Sequence, residues 1–367
     1  MKKTLIALAA LAATGAFAQV SVYGRLDVGY AATTNTSNGA DTKDNGVVSH
    51  NSVSSMWGIQ GSEDLGGGLK ANFKLEQDIY TANGNVGVSG SSAGAGASGT
   101  VNGAASSTNI GFNRTSLLGL SGGFGTVSLG RDYVPTFKLI GATDVNNLSR
   151  IDTVQLAANT GVSTTNSVVF YSTPVMSGFQ VNVAYRNADQ STTTDTFQKL
   201  TNITATYTNG PLMVGVGTGS TESKAAGVKN TGVSYTGQAA VTTAEKVSGN
   251  VVAGSYDFGS FKLMGNYITS KAQEVTAGVD NEQTELNIGA TVPMGKATLI
   301  AQAGQNVLKV TGADDRKGTD FVLGVDYALS AKTAVFAKTG TYAKMDAAAG
   351  GGEYKSVSTA VGLKTVF

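Results

Sequence analysis

The sequence lacks cysteine altogether and is poor in the other residues that build most metal and catalytic centres. Its 367 residues contain one histidine, His50, and one tryptophan. A zinc site made of cysteine and histidine, or a Ser-His-Asp triad, would depend on His50, which lies among Asn and Ser residues. The glycine-rich stretch 215–219 falls in a predicted strand and not before a helix, so it does not indicate a phosphate-binding loop. We therefore predict no enzymatic activity, no cofactor and no metal site.

Charge of one sign and long apolar runs are lacking as well. The chain carries 26 basic and 25 acidic residues, a net charge of +1. A nucleic-acid partner would require a strongly basic surface, so we expect none. Beyond the N-terminus, no apolar run approaches the roughly 18 residues that a helical span needs. With 49 glycines and many Ser, Thr and Asn residues, helix propensity is poor throughout, which predicts strands and turns.

The N-terminus has the organisation of a secretory signal peptide. Lys2 and Lys3 precede a short apolar run that ends in an Ala-Phe-Ala sequence typical of cleavage sites. We predict that residues 1–18 are removed and that residues 19–367 form one domain. A transmembrane anchor is the alternative, but residues 5–18 are too few for a helical span. An exported chain of this length without disulfides must be held together by burial or backbone pairing.

The rest of the chain is dominated by alternation of apolar and polar residues. Leu69, Phe73 and Leu75 share one face of their segment, while Lys74 and Glu76 share the other. A period of two residues predicts a strand. Sixteen candidate strands begin near Val20, Val53, Leu69, Asn109, Thr126, Asn166, Phe179, Lys199, Leu212, Val247, Phe261, Glu282, Ala297, Thr319, Thr333 and Tyr354.

The joints between these strands alternate between seven short, turn-like segments and eight longer polar ones, which include residues 32–52 and 276–281. An up-and-down membrane barrel with short periplasmic turns and long external loops requires this alternation, whereas a soluble sandwich does not. Charged residues on many inner faces would be costly in a dry core and suit a water-filled lumen. We therefore predict an all-β fold, a 16-stranded antiparallel transmembrane β-barrel.

Several motifs resemble one known family. Residues 61–71, GSEDLGGGLKA, and residues 120–131, LSGGFGTVSLGR, are its most specific matches. Residues 22–27, VYGRLD, and residues 166–174, NSVVFYSTP, match in the same order. Together they resemble the general porins of Gram-negative bacteria, of the betaproteobacterial and neisserial type. The resemblance implies that the third external loop, residues 134–165, folds into the lumen and constricts it.

The resemblance also implies a function and partners. It implies a passive, non-specific channel for ions and small hydrophilic solutes across the outer membrane of a Gram-negative bacterium. It further implies a homotrimer that contacts outer-membrane lipid and lipopolysaccharide. A substrate-specific channel, or a structural or adhesive barrel without an open pore, remains the alternative. A saccharide track would need aromatic residues in the lumen, and Trp57 has an outward-facing parity.

Porin constrictions set acids on the inward loop against a basic patch on the wall, so that charge selects the solute. Parity places Lys74, Arg186 and, together, Arg25 and Asp27 on inner faces, whereas for Arg114 the resemblance alone indicates an inward position. Arg131 has outward parity and is predicted to pair with a neighbouring subunit. The predicted lumen residues are Arg25, Asp27, Lys74, Glu76, Arg114 and Arg186 on the wall and Asp144, Arg150 and Asp152 on the loop.

Two positions depart from the family. Relatives usually carry Arg or Lys where this chain has Gln60, and often another Arg where it has Met56. Both positions are predicted to lie on the inner face of the second strand. Their replacement weakens the basic wall and leaves the preference between anions and cations open.

The wall assignment predicts the effect of two charge reversals. Lys74→Glu and Arg186→Glu should each shift permeability toward cations, because each replaces a positive charge in the lumen by a negative one. The reversal potential of the channel under a salt gradient measures this shift. If neither substitution changed the reversal potential, the two side chains would not line the conducting path.

Overall fold

A computed structural model defines the architecture. It describes residues 19–86, 111–154, 164–187, 199–222, 246–274, 279–312, 314–345 and 353–367. The predicted signal peptide, residues 1–18, lies outside the described residues, as do residues 155–163 of the predicted constriction loop. No helix in the described ranges is long and apolar enough to cross a membrane.

Strands dominate the described chain. They are β1 Gln19–Ser37, β2 Ala40–Ser49, β3 Met56–Gly66, β4 Leu69–Tyr80, β5 Asn85–Val86, β6 Thr115–Gly122, β7 Gly125–Tyr133, β8 Thr164–Ser172, β9 Phe179–Arg186, β10 Lys199–Asn209, β11 Leu212–Glu222, β12 Lys246–Asp257, β13 Lys262–Glu274, β14 Val279–Met294, β15 Ala297–Val310, β16 Arg316–Ala328, β17 Thr333–Met345 and β18 Tyr354–Val366. One short helix, α1 Pro135–Ala142, follows β7.

Sixteen of these strands form a closed antiparallel ring. The strand β1 pairs with β3 through Gln19–Arg25 and with β18 through Arg25–Ser37, which joins the two ends of the sheet. The strand β2 pairs with the C-terminal part of β1, and the two-residue β5 pairs with the end of β4. Neither is counted among the sixteen strands of the ring. The predicted 16-stranded antiparallel barrel is therefore confirmed.

The two faces of the strands have opposite character. On β14, Leu286 and Ile288 are 42% and 53% exposed, whereas Glu285 and Asn287 are buried on the opposite face. This reverses the arrangement of a soluble protein, in which apolar side chains are the buried ones. The apolar band therefore faces out of the barrel and the polar residues face in, as in a barrel surrounded by lipid.

The joints differ between the two rims of the barrel. At one rim, which we call the turn rim, two to six residues connect each pair, as do Gly210 and Pro211 between β10 and β11. At the other, which we call the loop rim, the joints include 81–114, 134–163 and 223–245. Each strand therefore runs from one rim to the other, as predicted.

Some strands run further than predicted at the loop rim. The predicted joint 32–52 folds largely as a hairpin, because β1 continues to Ser37 and pairs with β2. The predicted joint 276–281 is also shorter, because β13 and β14 stay paired as far as Glu274 and Val279. In both cases cross-strand hydrogen bonds continue through residues whose polar character indicated a loop.

The third long segment folds inside the barrel. Its residues pack against glycines on the inner wall, where a side chain would collide with the loop. A Cβ built on Gly215 would lie 2.7 Å from the Leu139 Cδ1 atom of α1, and one built on Gly304 would lie 2.7 Å from Thr153 Cβ. Glycine at these wall positions gives the loop the space that it occupies.

The seam between β1 and β18 requires close backbone approach. Gly29 and Gly362 are register partners, and a Cβ on Gly29 would lie 2.5 Å from the Val361 carbonyl oxygen and 2.9 Å from Gly362 Cα. Both contacts are with backbone atoms, so the strands themselves would have to move apart to accept a side chain. Gly123 at the turn rim provides a contrast, because a Cβ there meets no atom within 4 Å.

We predict that Gly29→Ala lowers the free energy of unfolding by about 1–3 kcal/mol, the usual cost of overpacking. Gly123→Ala should leave it nearly unchanged. Urea unfolding of each variant, folded into lipid vesicles and monitored by tryptophan fluorescence, measures the difference. Equal unfolding midpoints for the two variants would contradict the proposed tight seam.

Candidate functional site

A cluster of charged side chains lies on the inner wall formed by β1, β4 and the start of β6. Glu76 is at its centre: Tyr23 Oη donates a hydrogen bond to Glu76 Oε1 at 2.7 Å, and Lys74 Nζ lies 2.8 Å from the same oxygen. Arg114 Nη1 pairs with Asp78 Oδ1 at 2.6 Å. The period of two on β4 brings Lys74, Glu76 and Asp78 to one face. Arg114, whose parity was ambiguous, belongs to the same cluster.

The members of this wall cluster are not equally exposed to water. The Lys74 side chain is 42% exposed, whereas that of its partner Glu76 is 7% exposed. Arg114 and Asp78 are both largely covered, at 9% and 17%. The cationic end of the Lys74–Glu76 pair therefore reaches the lumen, while its carboxylate lies behind it.

A second ion pair of the same kind stands at the base of the third long segment. Lys138 Nζ lies 2.5 Å from Asp132 Oδ2, and the lysine side chain is 54% exposed against 9% for the aspartate. Thr115 Oγ1 donates to the other carboxylate oxygen of Asp132 at 3.0 Å, which links this pair to the wall cluster. Neither residue of the pair was predicted from the sequence. Asp132 follows an irregularity in the β7–β8 register, so parity counted along β7 does not apply to it.

Arg25 and Asp27 lie beside the wall cluster but serve mainly to hold the chain between β2 and β3. Arg25 Nε donates to the Ser54 carbonyl oxygen at 2.8 Å. The buried Asp27 carboxylate accepts three backbone N–H bonds, from residues 51, 52 and 53, at 3.0, 2.7 and 2.9 Å. These donors hold the buried Asp27 carboxylate out of contact with the water of the lumen.

His50 connects the first and third long segments, a role that was not predicted from the sequence. Its Nε2–H donates to the Ile79 carbonyl oxygen at 3.0 Å, and its own carbonyl oxygen accepts a bond from Arg150 N at 2.9 Å. Arg150 Nη2 donates to Thr33 Oγ1 on β1 at 3.1 Å. Burial lowers the pKa of His50, so the imidazole is neutral at pH 7. The predicted loop residue Arg150 thus contacts the wall on the far side of the lumen from α1.

Amide and hydroxyl side chains fasten the third long segment along its course. Thr136 N donates to Asn202 Oδ1 at 2.9 Å, and Asn202 Nδ2 donates to Thr136 Oγ1 at 2.7 Å. Further on, Thr153 Oγ1 donates to Asn287 Oδ1 at 2.7 Å. Lys338 Nζ donates to Asn146 Oδ1 at 3.2 Å. The segment therefore follows the inner wall from β10 to β17 and does not cross the open lumen freely.

Asp144 and Asp152, the predicted acids of the loop, are both buried. Asp144 Oδ2 accepts a bond from Leu148 N at 2.5 Å, and Asp152 Oδ1 accepts one from Val154 N at 3.0 Å. Neither carboxyl faces the lumen in this conformation. Their predicted role as the acidic side of a constriction therefore remains a prediction.

The two remaining predicted residues lie near the loop rim. Arg186 is on the inner face of β9, where its Nη1 donates to Thr165 Oγ1 at 2.6 Å and to the Asn166 carbonyl oxygen at 2.9 Å. Arg131 Nη2 donates to Thr164 Oγ1 at 3.2 Å, and its Nε donates to the Asn113 carbonyl oxygen. Arg131 is thus already bonded within its own chain, and its role at a subunit interface stays a prediction.

Comparisons with known proteins agree with a closed barrel of this kind. A family model described as Gram-negative porin matches residues 4–347. The chain belongs to the Gram-negative porin family. It is 30% identical over 309 residues to outer membrane porin protein 32 of Delftia acidovorans, a match that covers 80% of this chain and 77% of that protein. The porin is a passive diffusion channel of the outer membrane, and the family predicted from its motifs is confirmed.

Solved structures share the fold. The anion-selective porin of Comamonas acidovorans superposes with a TM-score of 0.74 at 24% identity, covering 96% of this chain and all of that one. A trimeric form of OmpT, an outer membrane protein of Vibrio cholerae, superposes with a TM-score of 0.64 at 18% identity, covering 95% of this chain and 99% of that one. In such barrels the turn rim is periplasmic and the loop rim is external.

The reciprocal Thr136–Asn202 bonds predict that Asn202→Leu loosens α1 from the wall. The substitution removes both buried hydrogen bonds to Thr136, which lowers the stability of the attachment by about 1–3 kcal/mol. Single-channel recordings should then show more current noise than the wild type does. Asn250→Leu is the matched control, because Asn250 is bonded to Thr269 on the exposed outer face. Equal noise in the two variants would show that this anchor does not hold the loop.

Proposed function

We propose that this porin is a general diffusion channel for ions and small hydrophilic solutes, narrowed by residues 134–165 and favouring anions. The observation that carries the proposal is the unequal exposure within the ion pairs of the lumen. Lys74 and Lys138 reach water, while their partners Glu76 and Asp132 are covered. A solute in the lumen approaches the ammonium groups more closely than the carboxylates, so the field that it meets is positive.

The departures at Gln60 and Met56 make this preference weaker without reversing it. Gln60 faces Lys74 in the β3–β4 register, and Met56 faces Asp78 there and Arg25 in the β1–β3 register. Two positions that carry basic residues in relatives are therefore neutral here, in direct contact with the wall cluster. The remaining exposed lysines still favour anions, in line with the anion selectivity named for the Comamonas acidovorans porin.

We further propose a homotrimer, a cleaved signal peptide and contact with the lipids of the outer membrane. The trimeric form of the Vibrio cholerae protein supports a homotrimer, with the apolar outer faces of the strands as the contact surface. The basic, apolar and Ala-Phe-Ala order of residues 1–18 supports a cleaved signal peptide. The same apolar outer faces support contact with outer-membrane lipid and lipopolysaccharide. We propose no catalytic step, because diffusion through an open pore needs none.

We expect the wild-type channel to show a reversal potential of the sign for anion preference under a potassium chloride gradient. Lys74→Met and Lys138→Met should each reduce the anion-to-cation permeability ratio roughly two- to fourfold, because one unit charge about 10 Å from the ion in water attracts the anion and repels the cation. Lys271→Met is the matched control, because this lysine is 37% exposed and shares the outward parity of Tyr267.

Two outcomes would contradict the proposal. A wild-type reversal potential of the opposite sign would show that the acids of the lumen dominate the field. An equal effect of Lys271→Met and Lys74→Met would show that selectivity does not arise from the lumen pair. A current that saturates as the concentration of one class of solute rises would instead favour the substrate-specific channel.

A further inference from the structure

A recess in the inner wall extends from Lys74 toward the turn rim. Its volume is about 490 Å³, within the range of about 300–1,000 Å³ that is usual for small-molecule sites. Its polar lining consists of neutral amide and hydroxyl side chains, namely Gln19, Ser21, Gln60, Ser62, Asn72 and Ser128. Among the described residues that line this wall recess, Lys74 is the only charged one.

The ammonium group of Lys74 is available to a solute in the wall recess. It carries three N–H donors, and its pairing with Glu76 Oε1 at 2.8 Å uses one of them. The carboxylate of Glu76 is covered, and it also accepts hydrogen bonds from Tyr23 Oη at 2.7 Å and from Thr115 Oγ1 at 3.1 Å. A solute in the recess therefore contacts the positive member of this ion pair.

The acids around the wall recess are balanced by neighbouring cations. Toward the turn rim, Asp64 and Lys70 are register partners of opposite charge. Toward the loop rim, Arg114 Nη1 pairs with Asp78 Oδ1 at 2.6 Å. Removal of the predicted signal peptide would leave the amino terminus at Gln19, which adds a donor to the same recess. The recess therefore favours a negatively charged solute.

The neutral lining matches a solute that carries hydroxyl groups. Gln60 is exposed and is the register partner of Lys74, so an amide that both donates and accepts lies beside the ammonium group. Asn72 Nδ2 donates to Ser121 Oγ at 2.8 Å, which leaves the Asn72 side-chain oxygen as an acceptor. Leu117, the other register partner of Lys74, gives the recess an apolar surface for carbon atoms.

We propose that the wall recess is a weak binding site for hydroxylated organic anions, the chemical class that includes sugar acids. The carboxylate lies at Lys74, the hydroxyl groups bond to Gln60, Asn72 and Ser128, and the carbon chain packs on Leu117. A bound anion occupies part of the lumen, so the chloride current falls as the site fills. This effect on the current rests on the proposed function as an open channel, whereas the binding does not. Because binding is weak, other solutes still pass.

Three probes with carbon chains of equal length test the proposed chemistry in single-channel recordings of the full-length porin in potassium chloride. Gluconate should reduce the chloride current, and the reduction should saturate as its concentration rises. Hexanoate has the carboxylate without the hydroxyl groups, and sorbitol has the hydroxyl groups without the carboxylate. Each of these two should require a concentration at least about tenfold higher for the same reduction, because each lacks one set of hydrogen bonds.

Two substitutions test the assigned residues. Gln60→Leu removes the amide and keeps the charge of the wall recess, so it should raise the half-effect concentration of gluconate about three- to tenfold. Lys74→Met removes the partner of the carboxylate and should raise it about tenfold or more. Gln180→Leu is the matched control, because Gln180 shares the inner face of β9 with Arg186 but does not line the recess. It should leave the half-effect concentration unchanged.

Saturation-transfer NMR of the porin in detergent micelles measures gluconate binding without a current. Transfer to gluconate that weakens in Gln60→Leu would support the site even in a barrel that did not conduct, a result that would contradict only the proposed function. Equal effects of gluconate and hexanoate, a reduction that does not saturate, or equal effects of Gln60→Leu and Gln180→Leu would overturn the site. If a variant did not fold, the three probes on the wild type would still decide.

Discussion

The structure depends on one constraint, which is that every backbone N–H and C=O group within the hydrocarbon must have a partner in the protein. The ring of sixteen strands meets it by pairing β1 with β18. The last residue takes part, since Phe367 N donates to Gly24 O at 3.0 Å and Gly24 N donates to Phe367 O at 3.1 Å. A ring of this size encloses a lumen wider than its own side chains can fill. Apolar residues are consequently placed outside, and the interior is left to polar side chains and water.

The third long segment determines how much of that interior stays open. Glycines at positions such as Gly215 and Gly304 make room for it on the wall. Amide pairs such as Thr136 with Asn202 fasten it there. Lys74 on the wall and Lys138 at the start of the segment project into water while their carboxylate partners stay covered. In the proposed channel, the electric field along the pore depends on which member of each ion pair is exposed, and much less on the nearly balanced total charge of the chain.

Alternation predicted the barrel well because period two is a property of each strand by itself. The predicted starts of strands at Leu69, Phe179 and Leu212 agree with the structure. The strand β6 begins at Thr115, later than the predicted Asn109, because Asn113 and Arg114 bind Asp78 across the wall and do not continue the strand. Parity also placed Lys74 and Glu76 on the inner face. Parity could not place Asp144, Asp152 or His50. Positions in a loop depend on contacts with residues far away in the sequence, and a periodic pattern carries no information about such contacts.

The most direct test of an open, water-filled pore is conductance of the purified protein in a planar lipid bilayer. The structure predicts stable current steps after each insertion, with a conductance proportional to salt concentration, because ions cross the lumen in water. A trimer would close in three equal steps. Reproducible insertion without current would contradict an open lumen and would mean that the third segment, or residues of the external loops, plug the barrel.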